Sequence, residues 1–253
     1  LISKRNWHVR DKWKRHLALA GNRQLSMHIP PTQLFNSKRV SDYFKRYRIV
    51  FLKPVNGTFG NNIVKVTQGK GNYLVHREKM VKRVAPNQIT GELIRSVRGR
   101  PYLVQKGVPL LTIKGQPIDF RVLVLKPDKR WDIMGTMGKV ASANRIVTNY
   151  NHGGRPIRVG EALRQVGWTQ KEISNIQARM NRVSLLAART FNQRYPHCRR
   201  LGIDIAIDAN KRIWILEVNT NPFFELFRFH ENKQLYGKIK RIMIKIGKQQ
   251  SNR

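Results

Sequence analysis

The segment "GIDIAIDANKRIWILEVNTNP", residues 202 to 222, constrains the fold more than any other stretch. Two apolar runs with a period of two flank "DANK", so the segment reads as a β-hairpin. Asp204 and Glu217 nevertheless sit inside those runs, with Asn219 two places on. A carboxylate among isoleucines is costly to bury without a cation beside it, either an arginine or a metal ion. With Ala209 and Asn210 central in the turn and Asp208 facing Lys211, Asp204 falls opposite Ile215. Asp204, Ile215, Glu217 and Asn219 then share one face, while Ile203, Ile205, Trp214 and Leu216 take the other. The two carboxylates become diagonal neighbours, roughly 7 Å apart at the backbone and within reach of one cation. Two carboxylates and an amide oxygen are hard donors that suit Mg²⁺, which keeps waters and binds substrate phosphates. Asp208 reads as a turn residue and not as a ligand.

The carboxylates stand out because the chain has so few. Its 253 residues hold 50 Lys and Arg against 14 Asp and Glu, a net charge of +36. An excess of that size implies a polyanionic partner: nucleic acid, nucleotide phosphates, an anionic cell-wall polymer or an acidic peptide. Cys198 is the only cysteine, which excludes an intrachain disulfide and a Cys-based zinc site. That usage fits a reducing, cytoplasmic compartment. No apolar run approaches about 18 residues, so no membrane span is expected, and no signal peptide is visible. The chain opens at Leu1, as a piece of a longer protein would.

Strands and helices mix without strict alternation, which predicts an α+β fold. Residues 1 to 27 are basic and helical in pattern, with Trp7 and Trp13 among Lys and Arg. "HIPPTQLF" reads as a turn, followed by a helix with Val40, Phe44 and Tyr47 on one face and Ser37 as N-cap. "RIVFL", "NNIVKVT", "NYLVH", "YLVQK", "IDFRVLVLK" and "WDIMGTMGK" read as strands, with a helix around residues 87 to 97. Thr169 and Glu172 form a capping box that opens a helix carrying Ile173, Ile176, Met180, Val183 and Ala187 at helical spacing. A last helix over residues 232 to 248 aligns Leu235, Ile239, Ile242 and Ile246 opposite a Lys-rich solvated face. His152, His197 and the aromatic run "NPFFELFRF" read as structural residues.

In "FLKPVNGTFGNNI", Lys53 ends a strand and Gly57 and Gly60 follow in a short loop. Glycines let backbone N–H groups approach phosphate oxygens, and a nearby lysine adds a point charge. An ordinary hairpin would also look like this. The sequence has no GxxxxGK[ST] and no GxGxxG between strand and helix, and protein kinases place the glycine loop before the lysine.

Lysine, then glycine loop, then a distant acidic hairpin is the order in which the chain resembles ATP-grasp enzymes, most closely the endospore coat-associated ATP-grasp proteins. The matching stretches are "HIPPTQLF", "VFLKPVNGTFGNNI", "YLVQKGVPLL", "GQPIDFRVLVLK" and "LGIDIAID…IWILEVNTNP", spread over roughly residues 10 to 230. The resemblance implies an ATP-grasp fold, in which two α+β subdomains clamp ATP. It divides the chain into a basic N-terminal segment (1–27), a central subdomain with the glycine flap (28–106) and a C-terminal subdomain with the metal site (107–253). It further implies a carboxylate–amine ligase that uses ATP and Mg²⁺, with Mn²⁺ able to substitute, and works through an acyl phosphate.

Carried over residue by residue, the resemblance makes Asp204, Glu217 and Asn219 the metal ligands and Lys53 the phosphate-binding lysine. Gly57, Thr58 and Gly60 become the flap, and Lys12 in "RDKW" a second phosphate-binding lysine. "VQKGV" matches the hinge that reads adenine through backbone groups, so Gln105, Lys106 and Val108 should line that pocket. Arg121 matches an arginine near the γ-phosphate or acyl phosphate, a fixed cation for developing charge. "NYNHGG" resembles the substrate side of peptide-forming members, placing Asn149 and Lys139 at the reaction centre. The flap has fewer glycines than is usual, Lys106 stands where related ligases often carry an acid, and the acceptor-binding N-terminal domain is not among these residues. Two readings follow. One is a peptide-forming ligase acting on an acidic peptide or other anionic substrate in a sporulating cell or spore coat. The other is a non-catalytic spore protein of the same fold that binds polyanions, nucleic acid included. Three hard ligands on one face favour the enzyme.

Overall fold

A computed structural model describes residues 8–57, 60–78, 80–142 and 153–251; Trp7, Thr58, Asn149 and His152 lie outside these. Its strands form two antiparallel sheets, and the chain is α+β as expected. The first sheet holds β1 (Thr32–Leu34), β2 (Ile49–Pro54), β3 (Val64–Gln68), β4 (Tyr73–Arg77), β5 (Met80–Val84) and β6 (Tyr102–Lys106), in the order β1-β6-β2-β3-β4-β5. Helices α3 (Val40–Arg46) and α4 (Ile89–Val97) pack on it through Val40, Phe44, Ile89 and Leu93. Part of "HIPPTQLF" is therefore strand, not turn. Ser37 is not the N-cap of α3 either. Arg39 holds that place without a side-chain cap bond, because residues 37–39 make a turn of their own.

The second sheet orders β10 (Arg155–Arg158), β9 (Asp132–Val140), β8 (Gln116–Leu125), β11 (Arg200–Ile207) and β12 (Ile213–Asn219), with the short β7 (Thr112–Ile113) on β8. One face packs on α5 (Val159–Gln165) and the 25-residue α6 (Gln170–Arg194) through Phe120, Val122, Val124, Ile203, Ile205 and Met180. The capping box at Thr169 and Glu172 forms as the sequence predicts. The other face meets α7 (Leu235–Ser251) and a 3-10 turn (Glu225–Phe229) through Leu123, Leu125, Leu226 and Ile239. Within "NPFFELFRF", Leu226 and Phe227 are core, whereas Phe223 and Phe229 are exposed.

The N-terminal helices α1 (Lys12–Ala20) and α2 (Arg23–Ser26) pack on this second unit, with Leu19 and Leu25 in its core. Asp11 caps α1 by accepting from Lys14 N, and Lys12 N donates to Val55 O at the end of β2. The start of α1 is thereby pinned between the two sheets.

Candidate active site

The β11–β12 hairpin pairs differently from the sequence reading, and the difference brings the carboxylates closer. Asp204 lies opposite Glu217, and Ile205, not Asp204, lies opposite Ile215. Two one-residue shifts account for this. The turn has three central residues, closed by Asp208 N donating to Arg212 O at 3.1 Å, with Lys211 at φ 57°. That is a three-residue hairpin with a left-handed third position. A β-bulge between Asp204 and Ile205 then leaves Leu216 without a partner. A bulge resets the alternation of faces. Ile215 joins Ile203 and Ile205 in the core under the sheet, while Trp214 and Leu216 pack with Ala206 and Val108 on the opposite side. The shared face assigned to Ile215 and Glu217 is thus corrected. Asp208 acts in the turn, accepting from Asn210 N, Arg212 N and Trp214 Nε1.

Arg121 on β8 faces Asp204 from the other side, so Arg121, Asp204 and Glu217 make one transverse row across three strands. Arg121 grips Asp204 with Nε at 2.7 Å and a terminal nitrogen at 2.9 Å. Lys139, which pairs across the sheet with Asp119, donates to Asp204 at 2.8 Å and forms an ion pair with Asp119 at 3.1 Å. Asn219 Nδ2 gives Asp204 a fourth donor at 3.2 Å. Burial pushes the Asp204 carboxyl toward protonation, but Arg121 and Lys139 outweigh it and hold the group well below the usual carboxylate range. Gly202 makes this grip possible: a Cβ there would stand 2.6 Å from Pro222 Cβ and 3.1 Å from Arg121 Cδ. Gly202→Ala is expected to cost about 1–3 kcal/mol by overpacking and to loosen Arg121 from Asp204. A thermal melt indistinguishable from wild type would show that the close approach is not needed.

Glu217 and Asn219 are held from α1. Arg15, nine-tenths buried, donates to Glu217 Oε1 at 2.8 Å, Asn219 Oδ1 at 3.1 Å and the Val218 carbonyl at 2.8 Å. Lys12 lies 3.9 Å from Glu217 and donates to the Gly57 carbonyl at the base of the glycine loop. Gly60, at φ 73°, takes a left-handed backbone that glycine permits at no steric cost. Lys53 comes in from β2. Its ammonium donates to Gln105 Oε1 at 2.5 Å, and Gln105 Nε2 donates to Thr32 Oγ1 at 3.0 Å. Among the described residues no carboxylate lies within 4 Å of Lys53. Burial pulls the Lys53 pKa down against the upward pull of Glu217, and the same balance lowers Lys12. These groups wall a cleft between the sheets whose remaining sides are apolar, formed by Leu19, Ile29, Leu103 and Leu216.

Lys12, Lys53, Gln105 and Glu217 line this cleft, and Asp204, opposite Glu217 on the sheet, adjoins it with Arg121, Lys139 and Asn219 bonded to it. Lys106 and Val108 stand apart from the cleft: the Lys106 ammonium lies 5.5 Å from the Tyr47 ring and 5.3 Å from Trp214, and Val108 packs on Trp214. The Lys106 and Gly107 N–H groups already donate to the Pro31 and Ile49 carbonyls. Sequence reasoning missed Arg15, Asp119 and Thr32. Arg15 had a signal, because it lies three residues from Lys12 on one helix face.

No three His, Cys, Asp or Glu side chains cluster as a metal cage among the described residues. Two opposed carboxylates and an amide still match the donor set of Mg²⁺. Glu217 Oε2 has no protein donor among the described residues and fits directly. Asp204 fits only if one of its four donors turns away.

Two antiparallel sheets that enclose such a cleft define the ATP-grasp class of fold, and solved structures agree. D-alanyl-alanine synthetase A from Vibrio cholerae O1 biovar eltor superposes with a TM-score of 0.58 at 12% identity, over 94% of this chain and 65% of that one. The ATP-grasp ligase PsnB, complexed with minimal precursor, gives 0.53 at 14% identity over 93% and 60%. The chain belongs to the YheC/D-like ATP-grasp family, whose model matches residues 2–248. It is similar to two Bacillus subtilis (strain 168) proteins, endospore coat-associated protein YheD (25% identical over 226 residues, 86% of this chain) and YheC (20% over 218 residues, 84%). The chain spans 49% of the length of the first and 60% of the second. No helix among the described residues is long and apolar enough to cross a membrane.

Proposed function

We propose that this chain is the ATP-binding and reacting part of an ATP- and Mg²⁺-dependent carboxylate–amine ligase that acts on an anionic, peptide-like substrate. The observation that carries the reading is a charge imbalance at the cleft. Among the described residues Lys12, Arg15, Lys53, Arg121 and Lys139 meet only Asp119, Asp204 and Glu217, which leaves two positive charges over. Lys53 supplies one of them, buried with only an amide oxygen as partner. A buried ammonium without a counter-ion is costly, and an incoming phosphate group relieves that cost.

In this reading Lys53 and Lys12 bind the nucleotide phosphates. Lys12 also ties the base of the flap to them through the Gly57 carbonyl. Arg121 and Lys139, held on Asp204 in the free protein, turn toward the transferring phosphoryl group, where fixed cations stabilise developing charge. Asp204, Glu217 and Asn219 would hold Mg²⁺, which neutralises charge on the phosphate oxygens. The bond from the bridging oxygen to the γ-phosphorus breaks and a substrate carboxylate oxygen takes the phosphorus, giving an acyl phosphate and ADP. An amine nitrogen then bonds to the carbonyl carbon, phosphate leaves with the electron pair, and the nitrogen loses a proton. The similarity to the endospore coat-associated proteins YheD and YheC favours a setting at the endospore coat.

The test is ADP and phosphate release with Mg²⁺·ATP across a panel of carboxylates and amines, acidic peptides included, beside a melt with and without Mg²⁺·ATP. Binding to the folded state alone should raise the melting temperature, and release should depend on both substrates. Stabilisation without release for any pair would overturn the ligase, and no stabilisation at millimolar Mg²⁺·ATP would overturn the nucleotide site.

A further inference from the structure

A second concave site lies on the far side of the β8 sheet. The turn from β8 to β9 curls against the C-terminal half of α6 and leaves a cleft of about 580 Å³. Lys126, Lys129, Arg130 and Arg189 line it, with the amides of Asn192 and Gln193 and one carboxylate, Asp132. None of the four cations has a carboxylate within 4 Å among the described residues. Nearby Asp128 is taken by Lys245 at 2.8 Å, and Lys126 bonds instead to Asn192 Oδ1 at 2.6 Å. Burial, and after it the charge of Arg199, lowers the Lys126 pKa.

Trp131 adds an independent observation. It lines the same cleft at 9% exposure, and its indole N–H has no acceptor among the described residues. A buried donor without an acceptor is uncommon and costs about 1–3 kcal/mol. Four cations without a carboxylate partner thus line a single concavity, and oxygen acceptors would meet them.

This cleft cannot be an arm of the nucleotide site. Lys126 continues the row Phe120, Val122 and Val124 toward α6, whereas Arg121 faces the opposite way. It also lies five residues further along the strand, roughly 16 Å at the usual rise per residue. We propose that it is a binding site for an oligophosphate, a ligand with several closely spaced phosphate groups. Such a ligand carries enough charge in a small volume to meet four cations, and the arginine forks suit its oxygens.

Isothermal titration with inorganic tripolyphosphate at low salt tests the proposal. Wild type should show two classes of site, one lost in Lys53→Ala and the other in the double variant Lys129→Ala/Arg189→Ala. The second loss should be about tenfold or more in affinity, with the Mg²⁺·ATP melting shift intact. Arg179→Ala/Arg182→Ala removes the same charge from the exposed face of α6 and should change binding less than about twofold. If both double variants weaken binding alike, only diffuse surface charge is at work and the site does not exist. Unchanged binding in Lys129→Ala/Arg189→Ala overturns it as well. Neither result bears on the nucleotide site, which the melting shift reads separately.

Discussion

Asp204→Asn should destabilise the protein by about 3–5 kcal/mol, the cost of breaking a buried ion pair from one side. In a chain of this length that lowers the melting temperature on the order of 10 °C. The isosteric amide keeps the shape but brings its own N–H donors against Arg121, Lys139 and Asn219, which now converge on a carboxylate only 8% exposed. Lys139 retains Asp119, so Arg121 suffers most. Acid denaturation gives a second reading. The folded carboxyl is held below its unfolded value, so between the two the unfolded state binds more protons. Its contribution is whole above about pH 4 and is lost as pH falls below that. Asp204→Asn should flatten this part of the stability curve. A variant as stable as wild type, with an unchanged acid limb, would mean that Asp204 is not the hub of the site.

The sequence located this hub by residue type but not by geometry, for a physical reason. An acid inside an isoleucine run is conspicuous when there are 14 acids in 253 residues, and Asp204 and Glu217 could be singled out on that ground. Which residues face each other depends on the turn and on the bulge. Lysine at a left-handed turn position gives no local sign, and neither does the unpaired Leu216. The cations present the opposite problem. Among 50 Lys and Arg no single one is informative by type, so Arg15 had only its place three residues after Lys12 to mark it until α1 set it against Glu217. Lys53 escaped that anonymity only through its glycine loop. Adjacent residues of a strand point to opposite sides, so the side chains of the matched hinge part company: Gln105 faces the cleft, whereas Lys106 turns to Tyr47 and Trp214. Helix α6 was legible throughout, since its cap and its 3.6-residue stripe agree.

Lys53 should behave in the reverse sense to Asp204, and that contrast separates a binding group from a structural one. Lys53→Met replaces a buried ammonium with an apolar chain of similar length and removes a single hydrogen bond, the one to Gln105. The nucleotide-free protein should therefore melt at or above the wild-type temperature, because the cost of an unneutralised buried charge is removed. Affinity for Mg²⁺·ATP should fall by about 2–4 kcal/mol, roughly 30- to 1,000-fold, as a desolvated charge pair with phosphate is lost. The pH dependence has a fixed sign. Burial lowers the folded pKa of Lys53 below its unfolded value near 10.4. Between the two the unfolded state binds more protons, so the stability of the free wild-type protein rises with pH through that window. Lys53→Met should lose this rise, and nucleotide should suppress it in wild type by holding the ammonium charged. Melts from pH 8 to 10.5, with and without Mg²⁺·ATP, measure all of this on one protein pair. If Lys53→Met instead costs several kcal/mol of stability and leaves nucleotide affinity intact, Lys53 is a structural cation bound to Gln105 and the phosphate-binding role is wrong.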